Sequence, residues 1–218
     1  QRADSAPVSG GSLLAGFHQL YGTVQALRSQ PQLLRFLLAY WLYIDGVNTI
    51  IKMAIDYGLS LGLDQAGLIK ALLLTQFVGF PAALAYGWLG QRIGALNGIF
   101  IALAVYIAAT CFAYFVDDVS DFFLLAVVIG LVQGGIQSLS RSYYGRLVPE
   151  GKSSEFFGFY NMMGKASAIV GPILVGVTAA VMQDQRLSIL SILLLFISGG
   201  CMLMIAARIA RADPTLTR

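Results

Sequence analysis

Charge is scarce in this chain. Only 11% of its residues are Asp, Glu, Lys or Arg, against 57% that are hydrophobic, whereas a soluble domain carries about 25% charged residues. So little charge cannot cover a water-facing surface. Histidine is scarcer still, with His18 the only one in 218 residues. A serine–histidine hydrolase needs a base within hydrogen-bond reach of its nucleophile, and His18 lies ahead of the apolar segments, so that chemistry is poorly supported. An aspartyl mechanism fares no better, because Asp45 and Asp56 sit on one helix about 16 Å apart by rise. Cys111 and Cys201 stand alone in separate apolar spans, without a pairing partner nearby or metal-ligand spacing, and read as small buried hydrophobes. No enzyme activity, metal or cofactor is expected. Nucleic-acid binding finds no support either, because the basic residues follow membrane topology.

What the chain has in quantity is long apolar runs. Each is long enough to cross a bilayer at about 20 residues, and each is continuous, unlike the alternating segments of about 10 residues that barrels use. The expected fold is an all-α membrane protein of six transmembrane helices. The spans run over about 33–61, 65–90, 95–116, 122–147 and 155–182, and the sixth ends near Arg208. Ahead of them, Leu13, Leu14, Phe17, Leu20, Tyr21, Val24 and Leu27 recur with a helical period, which predicts an amphipathic surface helix ended by Pro31. Residues 1–30 read as a linker carrying that helix, 31–212 as one six-helix domain and 213–218 as a tail. The polar start at Gln1, without a signal-peptide pattern, reads as part of something longer.

Orientation follows from the short connections. One side carries Arg28, Arg35, Arg92, Arg141, Arg146, Lys152, Arg208, Arg211 and Arg218, while the other carries only Arg186 beside Asp64, Asp117, Asp118, Asp121 and Asp184. By the positive-inside rule both termini are cytoplasmic. Aromatic residues near span ends, among them Trp41, Tyr86, Trp88, Tyr114, Tyr143, Tyr144, Phe156 and Phe157, read as interfacial anchors. Leu38-Ala39 and Tyr57-Gly58 recur at equal spacing as Leu125-Ala126 and Tyr144-Gly145, an echo that suits a three-plus-three inverted repeat.

Polar side chains inside apolar spans are costly and mark functional sites by default. In the first span Asp45, Asn48, Lys52 and Asp56 fall on one narrow helix face, with Thr49 at its border. Such a stripe belongs against protein or a watered cavity; Lys52 and Asp56 either join it or mark the outer interface. In the fourth span Gln133, Gln137 and Ser140 share a face. Gly130 and Gly134 there form a GxxxG, which thins the helix for packing or for substrate. Arg141 and Arg146 at the end of that span are topology charges or partners of Glu150 and Glu155 in a gate. In the fifth span Asn161 and Lys165 lie one turn apart, with Lys165 about 16 Å into the helix. An unpaired ammonium at that depth costs at least about 2.5–3.5 kcal/mol, so Lys165 needs a partner, an anionic ligand or the loss of its proton, and Asp45 has the depth of a partner. Gly171-Pro172 bends this span. Gly94, Gly98 and Ala102 offer a small-residue face for self-association.

The loop Gly87-Trp-Leu-Gly-Gln91-Arg92-Ile-Gly94 resembles the major facilitator superfamily signature G-x-L-x-D-R-x-G-R-R, with Gln91 replacing the acidic residue and Ala95-Leu96 the basic pair. That departure leaves Arg92 without the loop's usual charge relay. More specifically, Phe36-Leu-Leu-Ala-Tyr-Trp-Leu-Tyr-Ile-Asp45-Gly46, Gly130-Leu-Val-Gln-Gly-Gly-Ile-Gln-Ser-Leu-Ser-Arg141 and Glu155-Phe-Phe-Gly-Phe-Tyr-Asn161 resemble the vacuole-effluxer-like permeases, whose bacterial members form the "unknown major facilitator" group. The resemblance implies helices seven to twelve of a twelve-helix transporter in the bacterial inner membrane. Its first and fourth spans would line a cavity shared with the N-terminal half, and amino-acid efflux is attributed to the eukaryotic relatives.

The function expected is therefore secondary transport of a small solute, with Asp45 available to a coupling proton. Asp45, Asn48, Lys52, Gln133, Gln137, Asn161 and Lys165 are the cavity candidates, and Arg92, Arg141, Arg146 and Glu155 the gate candidates. The alternative is a self-associating six-helix protein, working as a homodimer or a non-transporting scaffold.

Overall fold

The computed structural model describes residues 30–149, 151 and 153–212. The expected surface helix at 13–27, the tail at 213–218, Glu150 and Lys152 lie outside the described residues. Among the described residues all regular structure is helical: α1 (Pro31–Ser60), α2 (Gln65–Ile93), α3 (Ala95–Ala113), α4 (Val119–Leu147), α5 (Ser153–Ala166), α6 (Val170–Met182), α7 (Gln185–Leu190) and α8 (Leu193–Ala212).

Local chemistry sets these boundaries. Pro31 begins α1 rather than merely ending a preceding helix, because the first helical position needs no N–H donor. α2, α4 and α7 each start on an aspartate. Asp64 Oδ2 accepts the Gly67 N–H at 3.0 Å, Asp118 Oδ1 that of Asp121 at 2.9 Å, and Asp184 Oδ1 that of Arg186 at 2.8 Å, each satisfying an otherwise orphaned donor of the first turn. Asp64, Asp118 and Asp184 are thus helix caps. One residue, Gly94 with φ of 85°, separates α2 from α3, a left-handed conformation that favours glycine.

Among the described residues five helical segments are long and apolar enough to cross a membrane: Gln65–Ile93, Ala95–Ala113, Val119–Leu147, Ser153–Met182 and Gln185–Ile209. The 30-residue α1 is not among them, since Asp45, Asn48, Lys52 and Asp56 interrupt its apolar sequence. The fifth segment is not one continuous helix as expected but two, α5 and α6, parted at 167–169. The sixth is likewise parted at 191–192.

α4 has α2 as its most extensive neighbour and also packs on α3; α1 pairs with α8, and α5 and α6 lean on α1. The α2–α4 seam explains the GxxxG: a Cβ on Gly130 would stand 2.8 Å from the Thr75 carbonyl oxygen, and one on Gly134 would stand 2.7 Å from Ala83 Cβ. These glycines serve packing. Gly134→Ala is expected to lower stability by about 1–3 kcal/mol through overpacking, whereas Gly87→Ala, with open space at its Cβ, gains up to about 1 kcal/mol from helix propensity. Unfolding in mixed micelles distinguishes the two, and equal behaviour would refute the seam.

Three expectations change here. Tyr144 and Phe156 are 0% and 1% exposed, so they are core residues rather than interfacial anchors. Cys111 and Cys201 are exposed on α3 and α8 rather than buried. The Gly94/Gly98/Ala102 face is used inside the chain: Ala102 is buried and a Cβ on Gly98 would collide with Leu139 of α4, so it is not free for self-association.

Candidate functional site

The break between α5 and α6 leaves backbone groups that an unbroken helix would pair internally. α1 supplies their partners. Asp45, only 1% exposed, takes the Val170 N–H on Oδ2 at 3.0 Å and the Gly171 N–H on both carboxylate oxygens at 3.1 Å. The third position of α6 is Pro172, which has no N–H, and Ile173 donates to the Ile169 carbonyl at 3.4 Å. Every donor of the first turn from Val170 onward is thereby accounted for. A carboxylate also suits the positive end of the helix dipole.

One turn along α1, Asn48 serves the other side of the break. Its Nδ2 donates to Ser167 Oγ at 3.2 Å and to the Gly164 carbonyl at 3.4 Å, while Ser167 Oγ donates to that same carbonyl at 2.7 Å. Thr49 Oγ1 donates to the Asp45 carbonyl at 2.7 Å and lies against Gly171, where a Cβ would collide with it. Spacing of three and four residues puts Asp45, Asn48 and Thr49 on one helix face, and that face clasps both ends of the broken helix.

Asp45 is therefore not paired with Lys165, as its depth suggested; two backbone N–H groups hold it instead. The stripe on α1 also divides: Asp45 is buried and Asn48 half-buried, but Lys52 and Asp56 are exposed and form no ion pair among the described residues. On α5, Asn161 and Lys165 are exposed. On α4, Gln137 is exposed, Gln133 is half-buried, and buried Ser140 lies 2.7 Å from the Tyr43 hydroxyl.

The gate candidates form no charge relay among the described residues. Among the described residues the only ion pair is Arg186–Asp117 at 2.6 Å, and Arg186 also donates to the Tyr114 carbonyl at 2.8 Å. The Arg92 guanidinium lies 4.2 Å from the Trp88 ring centroid and that of Arg141 lies 5.4 Å from Phe157, cation–π arrangements rather than salt bridges. Arg146 and Glu155 are exposed. What joins the N-terminal part of α1, the C-terminal part of α4 and α5 is aromatic: Tyr40 stacks on Tyr160 at 4.4 Å, Tyr160 on Tyr144 at 4.8 Å, and Phe36 packs against Tyr143 at 5.0 Å. The Tyr144 hydroxyl donates to the Phe156 carbonyl at 2.8 Å. Sequence reading missed this cluster, although its aromatics are crowded over 36–43, 143–144 and 156–160.

Apolar helices with a buried carboxylate committed to a mid-helix break, and with lysines and amides left uncovered, define an integral membrane protein whose polar residues have work beyond solubility. The chain belongs to the family described as vacuole effluxer Atg22 like, which it matches over residues 2–215. It is 40% identical over 187 residues to the uncharacterized MFS-type transporter YxiO of Bacillus subtilis (strain 168), covering 86% of this chain and 44% of that protein. It is 27% identical over 182 residues to autophagy-related protein 22-2 of Aspergillus clavatus, covering 76% and 30%, and 26% identical over 201 residues to autophagy-related protein 22 of Yarrowia lipolytica, covering 87% and 34%. The likeness to major facilitator transporters read from the sequence is borne out. The chain spans less than half the length of these curated relatives.

Proposed function

We propose that this chain is the C-terminal six-helix half of a secondary transporter for a small solute. In this reading α1 is the first of six crossings, related to α4 by a three-plus-three inverted repeat, and both ends lie on the cytoplasmic side of a bacterial inner membrane. Amino acids are the solute that the resemblance favours, with a proton as the coupling ion. The observation that carries the reading is a set of uncovered polar side chains: Lys52, Gln137, Asn161 and Lys165 are exposed on α1, α4 and α5. A lysine facing acyl chains costs about 2.5–3.5 kcal/mol, so these side chains need a watered cavity or a second protein surface. An N-terminal half of the same transporter supplies both.

The test is transport by the uninterrupted parent protein in proteoliposomes, with and without a pH gradient. Lys165→Leu is expected to leave folding stability within about 0.5 kcal/mol, as for exposed positions generally, and to lower solute flux at least tenfold. Undiminished flux would remove Lys165 from the pathway. The homodimer reading uses the same uncovered side chains. Crosslinking and light scattering of the 218-residue chain would favour it if a dimer moves solute while the monomer does not.

A further inference from the structure

Further along α1 than the clasp, its C-terminal turns border a cavity of about 280 Å³ together with α6 and α7. Among the described residues Asp56 is the only Asp, Glu, Lys, Arg or His in the lining. Its carboxylate is exposed and has no hydrogen-bond or ion-pair partner among those residues. The hydroxyls beside it can only accept. The Ser60 hydroxyl donates to the Tyr57 carbonyl at 2.7 Å, the Tyr57 hydroxyl to the Ala113 carbonyl at 2.7 Å, and the Ser188 hydroxyl to the Gln185 carbonyl at 2.6 Å. Each has spent its one hydrogen and keeps acceptor capacity alone. Gln185, exposed, brings the single amide, while Met53, Val175 and Ala179 are among the apolar residues. The adjoining basic residues leave Asp56 free. Arg186 is held by Asp117 and the Tyr114 carbonyl. Lys52 lies one turn back on α1 and forms no ion pair among the described residues, and a lysine N-terminal to its acid is the weaker order for such a pair.

We propose that this cavity binds a small molecule through a primary ammonium group, which donates to the Asp56 carboxylate and the Ser60 hydroxyl oxygen. An ammonium has three donors and no acceptor, the complement of a carboxylate among spent hydroxyls. Its bond to a carboxylate is charge-assisted and roughly twice as strong as a neutral one. Asp56, Ser60 and Gln185 are all exposed, so a solute reaches them. The volume, below the roughly 300–1,000 Å³ of drug-sized sites, limits the occupant to an amino acid or a short amine. An α-amino acid brings the required ammonium, and Lys52 stands one turn away for its carboxylate. The proposal deepens the transport reading by naming the group of the solute that is recognised, and it rests on that reading only for passage across the membrane. Binding is measured on the chain itself and flux on the parent protein, so failure of one is distinguishable from failure of the other.

The experiment titrates n-butylamine and 1-butanol, alike in length, against the chain in nanodiscs of zwitterionic lipid. Saturation-transfer NMR reads binding, with protein-free discs as the blank. Butylamine, charged at neutral pH, is expected to bind about tenfold more tightly than butanol. Asp56→Asn should remove that preference. Asp121→Asn, which deletes an equal charge outside the lining, should keep it within about twofold at physiological salt. L-Valine is expected to bind as butylamine does; binding of butylamine without L-valine would uphold the ammonium site and count against amino acids as the solute. Equal affinity of the wild-type chain for butylamine and butanol would overturn the proposal. So would an Asp121→Asn loss as large as that of Asp56→Asn, or displacement of butylamine by sodium but not potassium. The wild-type comparisons decide the matter if either variant does not fold.

Discussion

Asp45→Leu is expected to destabilise the chain by about 3–5 kcal/mol, the largest effect of any single substitution in α1. The mutation removes the acceptor for the Val170 and Gly171 N–H groups. Hydrogen bonds to a charged partner are worth about 1.5–3 kcal/mol each, and a donor left buried and unpaired costs about 1–3 kcal/mol. Leucine returns part of that loss, because it carries no charge to desolvate. Asp45→Asn should fall between, since it keeps one acceptor oxygen but turns an amide N–H₂ toward donors. Equilibrium unfolding in mixed micelles measures both. A second readout is local: with Cys111 and Cys201 replaced, a cysteine at Ile169 should react faster with maleimide once Asp45 is gone. A leucine variant as stable as the wild type, with unchanged labelling, would show that the break does not depend on its carboxylate.

Gly171→Val should damage the same junction from the other side. A Cβ there would collide with Thr49 Oγ1 and stand 2.8 Å from Thr49 Cβ and 3.0 Å from Asp45 Oδ1. Thr49 is fully buried and tied to the Asp45 carbonyl, so relief requires α6 to move away from α1. That motion stretches the bonds Asp45 makes, and a loss of about 3 kcal/mol or more follows from overpacking combined with broken hydrogen bonds. The double variant with Asp45→Leu should lose markedly less than the sum of the two, by about 0.5–3 kcal/mol of coupling. Gly176→Ala is the control, since nothing lies within 4 Å of its Cβ. Strict additivity would mean that the two residues do not share one structure.

Much of this architecture is legible in the chain itself. The expected spans 65–90, 95–116 and 122–147 lie within three residues at each end of α2, α3 and α4, because long apolar runs there are bounded by Asp64, Gly94 and Asp118. The break at 167–169 was signalled but misplaced. Gly171-Pro172 announced a bend, yet proline acts upstream: it cannot donate to the carbonyl four residues back, at Ala168, and it disfavours helix in the residue before it. Asp45's partner was hidden for a different reason. Matching carboxylates to lysines compares side chains only, and the donors here are main-chain groups that acquire meaning once the helix is interrupted. Likewise Tyr144 and Phe156 occupy the sequence positions of interfacial anchors, and only tertiary packing puts them inside.

With α2 and α3 hinged on the single residue Gly94 and α2 riveted to α4 through Gly130 and Gly134, those three helices form a block whose backbone has no slack. The break at 167–169 stands outside that block, and Asp45 is the side chain that ties its far edge to α1.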